Sequence, residues 1–206
     1  MRRTQEEAEA TRQAVLAAAL RLFSESGYAA TRLSDVARAA GVTRGAVYHH
    51  FDNKAHLYRT LLHDFAGAFS EQVAAAIEEG GSFLQICRRV MVKPLAYLEE
   101  NQAFAAFYEL VQLHTVDIPE LRAAHREQMV QAGAVLENVA GYFHLGIEQG
   151  VVRPTLDPEE LVRTFVALQN GLIHLWLVRE RAFSLAEAAA TAAEVFVAGI
   201  ATDEGN

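Results

Sequence analysis

The sequence predicts an all-α protein, and three of its features lead to this fold class. Alanine, leucine, glutamate and arginine, which all favour helices, dominate the 206 residues, and the chain contains only four prolines. Apolar residues recur at three- and four-residue spacing, as they do on the buried face of a helix. Glycines and capping residues divide this pattern into nine segments. We therefore expect nine helices, no strand and no internal repeat.

The first three helices are predicted to form a small head. Residues 6–26 make the first helix, which carries apolar side chains on one face and ends at Gly27. The stretch from Leu33 to Phe51 makes two short helices hinged at Gly41, because a left-handed residue is needed there and glycine adopts it at little cost. Thr43 stands at the N-cap of the second short helix. This arrangement is a helix-turn-helix.

Six further helices are predicted to form a larger body. Gly80-Gly81 ends the first of them, and Asp117-Ile118-Pro119, Asp157-Pro158 and Ser184 open three of the others. The predicted ranges of the six are 54–79, 82–100, 101–114, 117–149, 157–181 and 184–201. Pro94 should kink or delay the second of the six.

The net charge of −8 is distributed unevenly along the chain. Residues 1–59 hold nine Lys and Arg against six Asp and Glu, a net charge of +3. Residues 60–206 hold nine against twenty, a net charge of −11. The basic excess therefore lies with the helix-turn-helix, as it would in a DNA-binding head on a body that does not bind DNA.

The second helix of the helix-turn-helix presents a distinctive outward set of residues. Arg44 and Gly45 stand at its start, and Tyr48 and His49 follow one turn later. A helix of this kind enters the DNA major groove with its first residues at the base edges, where arginine can bind guanine with two hydrogen bonds. Since Gly45 has no side chain, base recognition there must come from Arg44 or from close approach of the backbone.

The same region resembles the N-terminal domain of the TetR family of bacterial transcriptional repressors. The resemblance runs from Thr11 to Tyr58 and rests on a series of short motifs in a fixed order. These are LFSESGY, T-x-x-x-D-V-A from Thr31, A-G-V-T-R-G from Ala40, Y-x-H-F from Tyr48 and N-K at Asn53 and Lys54. Within the family, the N-terminal sequence is most similar to the AcrR-like drug-efflux repressors.

The resemblance implies a nine-helix, ligand-responsive repressor that acts as a homodimer and releases a palindromic double-stranded DNA operator when its ligand binds. It implies a helix-turn-helix DNA-binding domain at 1–53 and a ligand-binding and dimerisation domain at 54–206. By position in the motif, the residues expected to contact DNA are Thr31, Ser34, Thr43, Arg44, Gly45, Tyr48, His49 and Lys54.

The body carries aromatic residues interleaved with polar ones on helices that should converge, which suits a small hydrophobic or amphipathic ligand. Helical spacing alone would also explain these aromatic residues as ordinary core. The expected ligand-binding residues are Phe104, Phe107, Tyr108, Val111, Gln112, Val139, Phe143, Phe165, Gln169 and Ile173.

The last two helices carry apolar stripes that either complete the core of the protomer or form a four-helix interface between two subunits. We favour the interface, because the alanine-rich last helix permits close approach. Its expected residues are Phe165, Leu172, Trp176, Leu185, Ala189, Ala193 and Phe196.

Several other functions are not expected. The single cysteine and the histidine spacing match no disulfide framework and no zinc motif, so we expect neither a metal nor another cofactor. The chain shows no membrane-length apolar run and no signal peptide at its start, which indicates a cytoplasmic protein. The alternative hypothesis is a helical carrier or enzyme for hydrophobic molecules whose head serves only for packing. An activator, or a regulator without a ligand, also stays open.

Overall fold

The computed structural model describes residues 5–202 apart from Val116, and it describes the backbone but not the side chains of residues 128, 129 and 131–138. Within the described residues the chain forms nine α-helices and one short 3-10 helix, so the all-α class is confirmed and the helix count becomes ten. The α-helices are α1 Gln5–Ser26, α2 Leu33–Ala39, α3 Arg44–His50, α4 Lys54–Glu78, α5 Phe83–Glu100, α6 Gln102–Glu109, α7 Arg122–Glu148, α8 Pro158–Val178 and α9 Leu185–Ile200. The 3-10 helix spans Pro119–Leu121.

Three helix limits differ from the predicted ones, each because of local backbone geometry. α6 ends at Glu109, since residues 110–114 form a π-helical turn. α7 begins at Arg122 instead of residue 117, after the 3-10 helix. α8 ends at Val178, because the backbone turns left-handed at Glu180 and Arg181, with φ of 53° and 60°. Helix α5 starts at Phe83 and runs through Pro94 without a break, so the proline does not delay this helix.

The chain folds into two compact units, and the first contains residues 1–67 and 102–128. Helices α1, α2, α3 and the start of α4 share its core, as predicted for the head. Part of the predicted body, including α6, packs in this unit as well. The core residues include Val15, Ala19, Phe23, Tyr28, Val36, Val47, Phe51, Leu57, Tyr58, Leu61, Phe107, Leu110 and Leu121.

The second unit contains residues 68–101 and 129–206, so the division between the units falls within α4 rather than at residue 53. Three phenylalanines from three helices form the centre of its core. The ring centroids of Phe165 and Phe196 lie 5.4 Å apart, and those of Phe143 and Phe196 lie 6.0 Å apart, both in edge-to-face geometry. This geometry is the one that aromatic pairs prefer in protein interiors.

The start of α9 shows how a distant residue completes a local cap. Ser184 accepts a hydrogen bond from the Glu187 amide at 3.2 Å, as the sequence predicts for an N-cap. The carboxylate of Glu99 on α5 accepts two further hydrogen bonds, from the amides of Leu185 at 3.1 Å and Ala186 at 2.8 Å. Because an anion is stabilised at a helix N-terminus, Glu99 fixes α9 against α5.

We expect Gly146→Ala, on α7, to destabilise the protein. A methyl group at this position would lie 2.8 Å from Phe83 and 2.8 Å from Val152, which is too close for carbon atoms. The overpacking should lower the free energy of unfolding by about 1–3 kcal/mol, measured by urea denaturation.

Gly141→Ala in the same helix is the matched control. A methyl group there meets nothing within 4 Å, so the substitution should raise stability by about 1 kcal/mol through helix propensity alone. Equal destabilisation by both variants would contradict the packing described for Gly146.

Candidate functional site

Helices α2 and α3 form the predicted helix-turn-helix. Gly41 adopts the left-handed conformation, with φ of +68°, and turns the chain between the two helices. The Thr43 hydroxyl caps α3 by accepting a hydrogen bond from the Ala46 amide at 3.1 Å. Val36 and Val47 are fully buried and hold the inner faces of α2 and α3 in the core of the first unit. The opposite face of α3 is therefore left for contacts outside the protomer.

That outer face carries four of the residues expected to contact DNA. Arg44, Gly45 and His49 are exposed, and the ring of Tyr48 is 48% exposed. A methyl group placed on Gly45 would find its nearest neighbour, the Thr43 hydroxyl, 3.9 Å away. Since packing within the protomer would accept a side chain here, the glycine leaves space at the surface. Donors, an aromatic ring and a bare backbone thus lie together on the face that would enter a major groove.

Two of the other expected DNA contacts are engaged inside the protein. Thr31 is 4% exposed, and its hydroxyl lies within hydrogen-bonding distance of the carbonyls of Gly27 (2.9 Å) and Leu22 (3.2 Å). The Lys54 ammonium donates to backbone carbonyls of the loop between α1 and α2. Ser34, on α2, is half-buried. These placements favour the outer face of α3 over Thr31 and Lys54 as the surface that contacts DNA.

An apolar cavity of about 260 Å³ lies within the second unit. Four helices contribute to its wall, and almost the whole lining surface is apolar. The lining residues are Val73 and Ile77 of α4, Ile86, Cys87 and Val90 of α5, Val139, Tyr142 and Phe143 of α7, and Phe165 of α8. Burial raises the pKa of the Cys87 thiol to about 12, which keeps it neutral at physiological pH. Burial, and then the nearby Cys87, also raise the pKa of Tyr142.

The expected ligand-binding residues divide between the two units. Val139, Phe143 and Phe165 line the cavity. Ile173 is buried elsewhere in the second unit, and the Gln169 side-chain amide donates to the Val90 carbonyl at 3.0 Å. The five others lie in the first unit, where Phe107 stacks on Phe65 with ring centroids 4.2 Å apart. These five are Phe104, Phe107, Tyr108, Val111 and Gln112.

Six of the nine residues that line the cavity were not among the ligand-binding residues expected from the sequence. They are Val73, Ile77, Ile86, Cys87, Val90 and Tyr142. Most are aliphatic residues at ordinary helical spacing, and this pattern is the same whether a residue packs against a neighbour or faces an empty space. Only the packing of α4, α5, α7 and α8 around the space decides which side chains line the cavity.

The residues expected at the dimer interface are packed inside the protomer. Leu172 is partly buried, and the other six, Phe165, Trp176, Leu185, Ala189, Ala193 and Phe196, are at most 6% exposed. They occupy the core, which is the alternative that the sequence left open. The outward faces of α8 and α9 carry other apolar residues, namely Leu175, Val178 and Val195, which are 48%, 54% and 69% exposed.

Metal binding and membrane insertion are the two remaining possibilities for the described part of the chain. It contains no group of three or more His, Cys, Asp or Glu side chains that could hold a metal ion. Helix α8 is long and apolar enough to cross a membrane, by length and composition only. Its buried residues include Phe165, Ile173 and Trp176, and one helix of this kind is weak evidence for a membrane span.

The helix-turn-helix agrees with the comparisons with known proteins. A model of the bacterial regulatory proteins of the tetR family matches residues 15–61. The transcriptional regulator TtgR of Pseudomonas putida is 32% identical over 187 residues, which cover 86% of this chain and 85% of TtgR. This chain belongs to the TetR family. SrpR, another transcriptional regulator from Pseudomonas putida, is 48% identical over 177 residues, which cover 84% of this chain and 78% of SrpR.

A solved structure of a repressor supports the same conclusion. NalD, the secondary repressor of the MexAB-OprM multidrug efflux pump in Pseudomonas aeruginosa, has 29% sequence identity and a TM-score of 0.80. The match covers 97% of this chain and 100% of NalD. The predicted class of function, a ligand-responsive DNA-binding regulator of the TetR family, is confirmed, and an enzyme or carrier without a DNA role is excluded.

We expect Arg44→Ala to lower operator affinity and to relax specificity at one base pair of each half-site. Loss of a bidentate contact to guanine should cost about 1–3 kcal/mol at that base pair. The measurement is a fluorescence-anisotropy titration of duplexes carrying each of the four base pairs at every position.

Arg163→Ala is the control for this experiment. Arg163 is exposed in the second unit, where it pairs with Glu159 and Glu160 of its own helix. Its loss should leave both affinity and base preference unchanged. If Arg44→Ala lowered affinity equally for all sequences, Arg44 would contact phosphate rather than a base.

Proposed function

We propose that this protein is a cytoplasmic, homodimeric repressor that releases a palindromic operator when a neutral, apolar small molecule binds the cavity of the second unit. The observation that carries this proposal is the course of α4. Its first turns, with Leu57, Tyr58 and Leu61, are buried in the core around the helix-turn-helix. Its later residues Val73 and Ile77 line the cavity. One uninterrupted helix therefore belongs to both the DNA-binding unit and the ligand cavity.

The DNA-binding part of the proposal follows from the outer face of α3. A single helix-turn-helix binds DNA weakly, whereas two copies related by a two-fold axis can insert into major grooves about 34–36 Å apart or a multiple of that. We propose that Arg44 contacts a base, and that Tyr48 and His49 contact phosphates or thymine methyl groups. Each is exposed on the same face.

The subunit interface is proposed to use the outward faces of α8 and α9. Leu175, Val178 and Val195 are large apolar residues that are at least 48% exposed there. Ala198 and Gly199, which are exposed on α9 after Val195, permit close approach of a second copy. In this proposal the exposed faces of α8 and α9 form the dimer interface, in place of the buried residues that the sequence predicted for it.

The chemistry of the cavity defines the class of ligand. Its described lining contains no charged side chain, and the polar groups on it are the Tyr142 hydroxyl and the Cys87 thiol. Burying a charge without a partner is costly, so a charged ligand would bind poorly. A neutral aromatic or aliphatic molecule would gain apolar contact on all sides. By analogy with NalD, an efflux pump for such molecules is the proposed product of the repressed genes.

Ligand binding is proposed to act through α4. A molecule that contacts Val73 and Ile77 moves the end of α4, and the helix carries that movement to the helix-turn-helix. The ligand must bind the DNA-released state more tightly than the DNA-bound state, by about 1.4 kcal/mol for each tenfold loss of operator affinity.

The proposal is tested with a duplex selected by the protein from a random library and with the neutral dye N-phenyl-1-naphthylamine. The dye should fluoresce on binding the protein and should release the duplex in an anisotropy titration. DNA binding that is insensitive to every bound apolar molecule would contradict the ligand part of the proposal. Selection of asymmetric rather than palindromic duplexes would contradict the dimeric part.

We expect Cys87→Met to weaken dye binding about tenfold or more and to reduce release of the duplex, because the longer side chain fills the cavity. Cys87→Ala is the matched control at the same position. It enlarges the cavity and should preserve both dye binding and release. Unchanged dye binding in Cys87→Met would show that the dye binds elsewhere, and equal loss in both variants would show that the thiol itself is required.

A further inference from the structure

Lysine is rare in this chain, and its two positions are distinctive. Of the 18 Lys and Arg residues, 16 are arginines, and the two lysines are Lys54 and Lys93. Lys93 pairs with Glu79 in the second unit. Lys54, the first residue of α4, lies in the first unit beside the loop that joins α1 to α2. An ammonium group thus lies at residue 54 in a chain whose positively charged side chains, apart from Lys93, are otherwise guanidinium groups.

The Lys54 ammonium lies among three backbone carbonyls of that loop. Its Nζ atom is 2.8 Å from the carbonyl oxygen of Tyr28, 3.1 Å from that of Thr31 and 3.4 Å from that of Ala29. It also lies 4.2 Å from the centroid of the Tyr28 ring. An ammonium has three N–H donors, and three carbonyl acceptors are present. A phosphate would therefore have to displace bonds that are already formed.

The geometry suits lysine and not arginine. The three N–H groups of an ammonium diverge from one atom, whereas the donors of a guanidinium lie in a plane around a larger group. The Tyr28 hydroxyl donates to the Glu120 carboxylate at 3.1 Å, which fixes the ring beside the ammonium. Burial lowers the pKa of Lys54, and the nearby Glu120 carboxylate partly opposes this effect.

The bound loop leads directly into α2. Thr31 is buried and precedes Arg32, the N-cap residue of α2. The side chain of Arg32 makes no capping hydrogen bond among the described residues, so α2 starts without the side-chain cap that α3 has. Because no side-chain cap fixes this end of α2, the position of the Thr31 carbonyl affects the position of the first turn of the helix. Since α2 packs against α3, that position also affects the helix presented to DNA.

We infer that Lys54 is a positioning residue for DNA binding: it holds the Tyr28–Thr31 loop, and through it α2 and α3, instead of binding a phosphate of the operator. The inference rests on DNA binding by the helix-turn-helix. Disruption of these hydrogen bonds displaces the start of α2 and lowers the affinity of a folded protein for its operator.

The first experiment compares Lys54→Met, Lys54→Arg and the control Lys93→Met on a duplex that the wild-type protein has selected from a random library. All are measured at a temperature where circular dichroism shows each variant folded. Both Lys54 variants should lose about tenfold or more in affinity, because neither side chain can replace the three charge-assisted hydrogen bonds. Lys93→Met should bind as the wild type does.

The salt dependence of binding separates positioning from phosphate contact. A residue that neutralises a phosphate contributes about 0.9 to the slope of log affinity against log salt, or about 1.8 for the two copies in a dimer. For a positioning residue, Lys54→Met should keep the wild-type slope. A slope lowered by that amount in Lys54→Met, together with normal affinity of Lys54→Arg, would overturn the inference. Wild-type affinity of folded Lys54→Met would overturn it as well.

The second experiment requires no DNA. Hydrogen exchange of the backbone amides of residues 31–37 should become faster in Lys54→Met and Lys54→Arg, and should stay unchanged in Lys93→Met. Unchanged exchange in the Lys54 variants would overturn the inference even if DNA affinity fell.

If the wild-type protein selected no duplex, the proposal of DNA binding itself would fail, and a positioning role for DNA would fail with it. Faster exchange would then still establish the loop contact separately.

Discussion

Burial of the first turns of α4 against the head is the constraint on which the rest of the first unit depends. Tyr58 is fully buried, its ring lies 5.6 Å from that of Tyr28, and its hydroxyl lies 2.6 Å from the Thr115 hydroxyl. The Thr115 hydroxyl also lies 3.1 Å from the carbonyl of Leu110, at the start of the π-helical turn. A buried hydroxyl pair of this kind is stable only when each member is satisfied, so it fixes α4 and the 110–115 segment in one arrangement.

The cores of the two units are packed differently. The first unit fills its core with aromatic rings in contact, as in the pair Phe65 and Phe107 at 4.2 Å. The second unit leaves an apolar space between α4, α5, α7 and α8. Such a space forgoes contacts that would stabilise the fold, and a ligand that fills it recovers them. The cavity therefore costs the second unit packing contacts that the stacked rings of the first unit keep.

Local chemistry explains why the head could be predicted closely. The hinge at Gly41, the cap at Thr43 and the exposed side chains of α3 all depend on residues within a few positions of one another. The helix starts predicted from caps at Asp157 and Ser184 were accurate for the same reason, and Asp157 accepts hydrogen bonds from the amides of Glu159 and Glu160. The limits missed, at residues 110–121 and 179–181, are those where a π turn, a 3-10 helix and left-handed residues interrupt a continuous periodic pattern.

The sequence by itself determined the all-α class, the helix-turn-helix, the charge difference between its ends and the family, because composition, caps and motif spacing are local properties. The tertiary structure decided which partners each residue meets. It placed the Lys54 ammonium on loop carbonyls more than 20 residues away, the Glu99 carboxylate at the start of α9, and Cys87 in the wall of a cavity. It also showed that the apolar residues around Trp176, which were expected at the dimer interface, are buried in the core of the protomer. A periodic pattern shows that a face is buried, but only the packing of distant helices shows what it is buried against.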